Sequence, residues 1–155
     1  MATVDTIEQL EAEMQKRITQ ALNGGVKTAV RKCVKQHAQD DVLATYSPKE
    51  YQRRSTLGVD SDRNITGTVD DNVLTVSNVA QIAPPIVKGY APSGDLDNGL
   101  PQLLEQGVYN LFKAPAGTPY IEPRPFMSNA KRDVANPGSA AHKEILNAIK
   151  NKFPD

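Results

Sequence analysis

The chain has 155 residues, with eighteen Lys and Arg balanced by eighteen Asp and Glu, so no long-range field draws it to nucleic acid or to an acidic membrane. The length fits one domain that can bury an ordinary core without disulfide or metal staples. One cysteine, Cys33, excludes an intrachain disulfide and suits a reducing compartment.

In chain order, the polar start MATVDTIEQLEAE lacks the basic and apolar regions of a secretory leader, and no apolar run approaches the length needed to span a bilayer. Both features predict a protein made in the cytoplasm and without a membrane partner. Ile7, Leu10, Met14, Ile18 and Leu22 recur at spacings of three and four, with Thr6 and Gln9 placed as a capping box. The period breaks at Asn23-Gly24-Gly25 and resumes through Val26, Ala29, Val30, Cys33, Val34 and His37. Two nearly collinear helices, about 5–22 and 26–44, are therefore expected.

Ser47-Pro48-Lys49-Glu50 carries a hydroxyl N-cap, a proline at the first helical position and a glutamate that can reach back, which predicts a short helix through about Arg54. Ile65 to Val69 and Val73 to Val79 alternate about the turn residues Asp70-Asp71-Asn72, the pattern of one antiparallel hairpin. Pro84-Pro85 ends it. The segment to Pro125 then reads largely as loop, with one helical turn at PQLLEQG and an extended, proline-braced stretch at LFKAPAGTPYIEPRPF. A helix over Met127 to Val134 precedes the break Asn136-Pro137-Gly138, and Ser139 caps a last helix with Ile145, Leu146, Ile149 and Phe153 on one stripe. The expected class is α+β: N-terminal helices packed on a small antiparallel sheet, a long Pro/Gly-rich loop, and C-terminal helices, in a single domain over 1–155.

Catalytic signals are sparse. His37 and His142 lie far apart and have no metal-ligand spacing, so neither a metal nor a cofactor is expected. Cys33 and His37 share a helix stripe one turn apart and could meet as a nucleophile pair, but no oxyanion loop or third orienting group is evident. A buried cysteine and a hydrogen-bonded core histidine are the simpler reading. Asp60, Asp62 and Asn64 imitate the first half of a calcium loop, yet Ile65 stands where glycine is needed and Asp71 where a bidentate glutamate is needed. They read as a polar turn. The sequence therefore predicts neither an enzyme nor a small-molecule site. Lys27, Arg31, Lys32 and Lys35 form a basic stretch that supports an alternative, a small nucleic-acid-binding protein, against the plainer reading of a solvated helix face.

Two short motifs stand out as joints: YSPKEYQRR at Tyr46 to Arg54, and IEPRPFM at Ile121 to Met127. The order of helix, YSPKEYQRR, GVDSDRNI before a hairpin ending TVSN, QLLEQG and PRPFM resembles the neck and minor tail proteins of tailed phages, variously head–tail joining, tail-completion or tail-component proteins. The resemblance covers about Asp41 to Val134. Tyr51, Arg53 and Arg54 match that family's Tyr-x-Arg-Arg element, Glu105 and Gly107 its E-x-G turn, and Arg124, Pro125 and Phe126 its Arg-Pro-Phe element. The resemblance implies a virion protein without catalysis, assembled with copies of itself as a ring at the head–tail junction or tail end. Its partners would be other neck or tail proteins, with DNA passing through the lumen. Tyr46, Tyr51 and Phe126 are expected as anchors in the core or at an interface, and Arg54 and Arg124 as bidentate partners of carboxylates. The Pro84 to Gly99 insertion and the Gly24-Gly25 break depart from the family pattern.

Overall fold

The computed structural model describes residues 6–44, 58–80, 104–105 and 124–153. Helix α1 spans Ile7–Ala21 and opens with Thr6, whose Oγ1 accepts from the Gln9 amide at 3.2 Å, so one orphan N–H of the first turn is satisfied. A wide π-helical turn over Leu22–Val26 follows, with Gly24 outside helical geometry (φ −98°, ψ −112°). Helix α2, Lys27–His37, then runs into a second π-helical turn, Ala38–Leu43. The two expected helices are thus present, and the glycine pair marks the kink between them.

Strands β1 (Ile65–Asp70) and β2 (Val73–Asn78) pair antiparallel from Ile65 opposite Asn78 to Asp70 opposite Val73. Asp71 and Asn72 have positive φ, 42° and 63°, the left-handed pair that a two-residue hairpin turn demands and that Asp and Asn tolerate better than most residues. Gln15 and Asn72 join their side-chain amides, tying α1 to the tip of the hairpin. Helix α3 covers Phe126–Ala135 and α4 covers Ala140–Lys150. Ser139 Oγ accepts from the His142 amide at 3.0 Å and caps α4.

The fold is α+β: the hairpin lies against α2, α3 packs on α2, and α4 packs on the first π-helical turn. Gly25 makes that last contact possible, because a Cβ there would lie 2.7 Å from the Ala148 Cβ. The core gathers Cys33, Val34, Ala38 and Val42 from the α2 region, Val59, Ile65 and Ala80 around the hairpin, Leu104, and Phe126 and Ala130 from α3. Phe126 and Ile65 are its largest fully buried side chains.

The expected short helix after Ser47, the Pro84 to Gly99 insertion and most of the proline-braced stretch lie outside the described residues; of PQLLEQG, only Leu104 and Glu105 are described, and both are helical. The α4 stripe is only partly covered, since Leu146 and Ile149 are exposed. The stripe of α1 is more open still: Ile7, Leu10 and Met14 are 73%, 48% and 46% exposed.

Candidate functional site: motif joints and an exposed apolar face

Four of the nine singled-out residues, Glu105, Arg124, Pro125 and Phe126, fall in the described part, and the structure brings them together. Tyr46, Tyr51, Arg53, Arg54 and Gly107 lie outside it. Pro125 stands at the N-cap of α3 with no side-chain oxygen to offer. Glu105 supplies the missing acceptor from another segment. Its Oε1 accepts from the Met127 amide and, at 3.3 Å, from the Ser128 amide, while Oε2 accepts from Ser128 Oγ at 2.8 Å. A carboxylate on the first-turn N–H groups satisfies orphan donors and sits at the positive end of the helix dipole.

The backbone closes the same joint. The Arg124 amide donates to the Leu104 carbonyl at 2.6 Å, and the Phe126 amide to the Arg124 carbonyl at 2.8 Å. Arg124 Nη1 donates to the Val42 carbonyl at 3.3 Å, a carbonyl of the second π-helical turn. Phe126, fully buried, fills the core beneath. The Arg-Pro-Phe element therefore clasps α3, the Leu104-Glu105 turn and the end of the α2 region. The Val42 carbonyl is thus one partner of the Arg124 guanidinium.

The basic stretch is used inside the fold. Lys27 Nζ donates to the Gly67 carbonyl at 3.4 Å. Arg31 donates through Nε to the Ile65 carbonyl at 2.7 Å and through Nη2 to the Asp62 carbonyl at 2.8 Å. Lys32 pairs with Glu144 at 2.6 Å and Lys35 with Asp62 at 2.9 Å. The Lys35 ammonium holds the Asp62 carboxyl below its ordinary value, first as hydrogen-bond donor and then as a charge. These four cations fasten the hairpin, the loop before it and α4 to α2.

The polar residues ahead of the hairpin have similar work. Gln39 Nε2 donates to Asp60 Oδ2 at 3.4 Å, and Asn64 Nδ2 to the Gly58 carbonyl at 2.9 Å. Asn78 Nδ2 reaches the Val59 carbonyl at 2.6 Å. They organise the turn into β1.

A polar cluster that the sequence reading did not assemble surrounds His37. Its Nδ1 is 2.9 Å from Asp41 Oδ2 and its Nε2 is 3.1 Å from Asp133 Oδ2. Asn129 Nδ2 donates to the same Asp41 oxygen at 2.9 Å. Cys33, one turn before His37, is buried with its thiol 3.8 Å from the Ala130 carbonyl. Burial pushes that thiol's pKa up, and the Asp133 and Glu144 charges add to the effect; such a thiol is a poor nucleophile. Asp41 was within reach of sequence reasoning, standing four residues after His37 on the same helical face. Asp133 was not, because it arrives from 96 residues further on.

An open apolar groove of about 320 Å³ runs between α2, β2 and α3, lined by Val30, Val34, Val76, Met127, Ala130 and Val134 among others. Neither His37 nor the carboxylates beside it line this groove, so it does not present that cluster to a ligand. Among the described residues no helix is long and apolar enough to cross a membrane.

The sequence from residue 6 to residue 153 matches one family model, described as YomN. The chain belongs to the YomN family. That family is phage-associated. No curated protein and no solved structure matches the chain.

Proposed function

We propose that this YomN-family protein is a structural component of a tailed phage or prophage particle, built into the head–tail junction or the tail-completion ring by contacts between copies of itself and with neighbouring neck or tail proteins. The observation that carries this reading is the apolar face of α1. Ile7, Leu10 and Met14 sit at helical spacing on one side and face solvent. Exposed apolar residues scattered singly are ordinary, whereas a row of three on one helix is a surface to be covered. In a ring the cover is the adjacent copy. Phage membership of the family and the inward-turned motif residues fit a protein that acts by shape, without catalysis or a small-molecule ligand. Glu105, Arg124, Pro125 and Phe126 then serve as anchors that hold the subunit rigid for assembly.

The nucleic-acid reading gains no specific support. Lys27, Arg31, Lys32 and Lys35 each have a partner within the chain, and phosphate binding would compete with those contacts.

Purified particles test the proposal. Mass spectrometry should find the protein in them, and electron cryomicroscopy should place a ring of it at the neck or tail end with α1 against a neighbour. A Leu10→Glu, Met14→Glu variant should fold, with an unchanged far-ultraviolet circular dichroism spectrum, yet be missing from particles. A virion lacking the protein, or particles that take up the double variant normally, would overturn the reading.

A further inference from the structure

We propose that Cys33, His37 and Asp133 form a binding site for a divalent transition metal of the zinc class, with Asp41 as the positioning residue that orients His37. The Cys33 sulfur, a His37 ring nitrogen and an Asp133 carboxylate oxygen all lie within 4.8 Å of one another. Cys33 and His37 are one helical turn apart on α2, so their side chains project from the same face. Asp133 closes the triangle from α3. Its backbone is fixed there, since Ser139 Oγ donates to the Asp133 carbonyl at 2.5 Å.

The donor set selects the metal. A thiolate, an imidazole and one carboxylate suit zinc or cobalt(II), whereas calcium and magnesium require oxygen donors. Bond lengths of about 2.0 to 2.3 Å in a tetrahedral site place neighbouring ligand atoms roughly 3.3 to 3.6 Å apart. The Nε2 to Asp133 Oδ2 separation of 3.1 Å falls only about 0.2 Å short of that spacing. For the sulfur, closure takes an approach of up to about 1 Å, within reach of a side-chain adjustment.

Asp41 completes the arrangement. It stands 2.9 Å from Nδ1, where a carboxylate accepting the Nδ1 proton leaves Nε2 with its lone pair turned toward Asp133 and Cys33. This is the outer contact that metal-bound histidines ordinarily have. Asn129 holds the same Asp41 oxygen from α3, so the orienting group is itself oriented. Without metal, both ring nitrogens face carboxylate oxygens. On binding, the metal displaces the Cys33 thiol proton to solvent and takes up the Nε2 lone pair. One thiolate and one carboxylate then balance its two positive charges.

The test uses the full chain, stripped of metal with a chelator and titrated with cobalt(II). The expected result is one equivalent bound, with a sulfur-to-cobalt charge-transfer band in the near ultraviolet and the intense visible bands of a tetrahedral ion. Zinc should displace the cobalt and raise the Tm, and magnesium and calcium should do neither. Cys33→Ser should abolish the charge-transfer band. Asp41→Asn should keep the band while weakening affinity by about 10- to 100-fold, a split that a merely structural role would not produce. A measurement on the unaltered protein stands apart from any folding defect of the variants: zinc binding in weak buffer should release protons to an indicator dye. Absence of the charge-transfer band at stoichiometric cobalt, absence of proton release, or undiminished binding by Cys33→Ser would overturn the site and leave His37 as a histidine hydrogen-bonded between two aspartates.

Discussion

Replacing Gly25 by alanine isolates the contact that seats α4 on the kink between α1 and α2. The added Cβ lies 2.7 Å from the Ala148 Cβ and 3.6 Å from its Cα, where carbon atoms prefer roughly 3.5 to 4.0 Å. Something must retreat by about 1 Å, and the obstacle is a methyl group with no rotamer to escape into. Overpacking of this kind costs about 1 to 3 kcal/mol, and exchange of glycine for alanine in a helical segment returns at most about 1 kcal/mol. The expected net loss is about 1 to 2 kcal/mol, a Tm lower by roughly 2 to 8 °C for a chain of this size. Urea and thermal unfolding followed by circular dichroism measure it. Gly24→Ala is the control, because nothing lies within 4 Å of a Cβ there, and its stability should change much less. Ala148→Gly supplies the decisive arm. Alone it costs about 1 kcal/mol of helix propensity, but in the Gly25→Ala background it removes the obstructing methyl, so the two changes should couple by at least about 0.5 kcal/mol. Strict additivity, or a Gly25→Ala protein more stable than the parent, would refute the argument.

Phe126→Ala should cost about 3 to 5 kcal/mol in urea unfolding, as expected for a fully buried aromatic; a loss below 1 kcal/mol would mean the core does not depend on it. Glu105→Ala strips the first turn of α3 of its acceptor, with an expected loss of about 1 to 2 kcal/mol, and Glu105→Gln should recover part of it because an amide oxygen still accepts. Cys33 should react slowly with a thiol-specific disulfide reagent at neutral pH and rapidly once urea unfolds the chain, since burial and the Asp133 and Glu144 charges keep it a thiol. The Asp62 carboxyl, held below its ordinary 3.8 by Lys35, contributes stability that is fully present above its unfolded pKa and fades as pH falls through the lower folded one. The Tm gap between the parent and Lys35→Met should therefore be constant near neutrality, close progressively below about pH 4, and shrink in high salt.

Local pattern carried the elements. Thr6, Gly24-Gly25, Asp71-Asn72 and Ser139 each act through chemistry confined to their own few residues, so each could be read from the chain and each is found in its expected role. What the pattern could not carry is the identity of distant partners. Glu105 caps a helix that begins twenty-one residues later, and Arg31 reaches the carbonyl of Ile65; neither pairing leaves a periodic trace. The basic stretch on α2 illustrates the same limit from the other side. Its charge was visible and its partners were not, so a row of cations suggested a solvated or nucleic-acid-facing surface while the fold uses it to fasten the hairpin. The apolar stripe of α1 was equally visible, but periodicity says only that a face exists. Whether the same chain or another one covers it depends on tertiary arrangement.

That division bears on where the proposed assembly would be encoded in this protein. Motif residues such as Arg124, Pro125 and Phe126 look like recognition elements because arginine and aromatic anchors are typical of hot spots, yet within the chain's own fold the arginine already holds the Val42 carbonyl and the phenylalanine fills the core. A residue committed to its own fold can influence a neighbour only by fixing the geometry of what remains outside. Here the outside includes Ile7, Leu10 and Met14 on α1 and Leu146 and Ile149 on α4, and these two helices meet through the Gly25 kink region. Substitutions at the joints should therefore act first on subunit stability, and on incorporation into particles only as far as the fold is lost. Substitutions on the α1 face should do the reverse. Measuring unfolding free energy and particle incorporation on the same set, Phe126→Leu and Glu105→Gln against Leu10→Glu and Met14→Glu, separates the two roles. If the joint variants fold normally yet fail to enter particles, the motifs themselves make intersubunit contacts, and the division argued here is wrong.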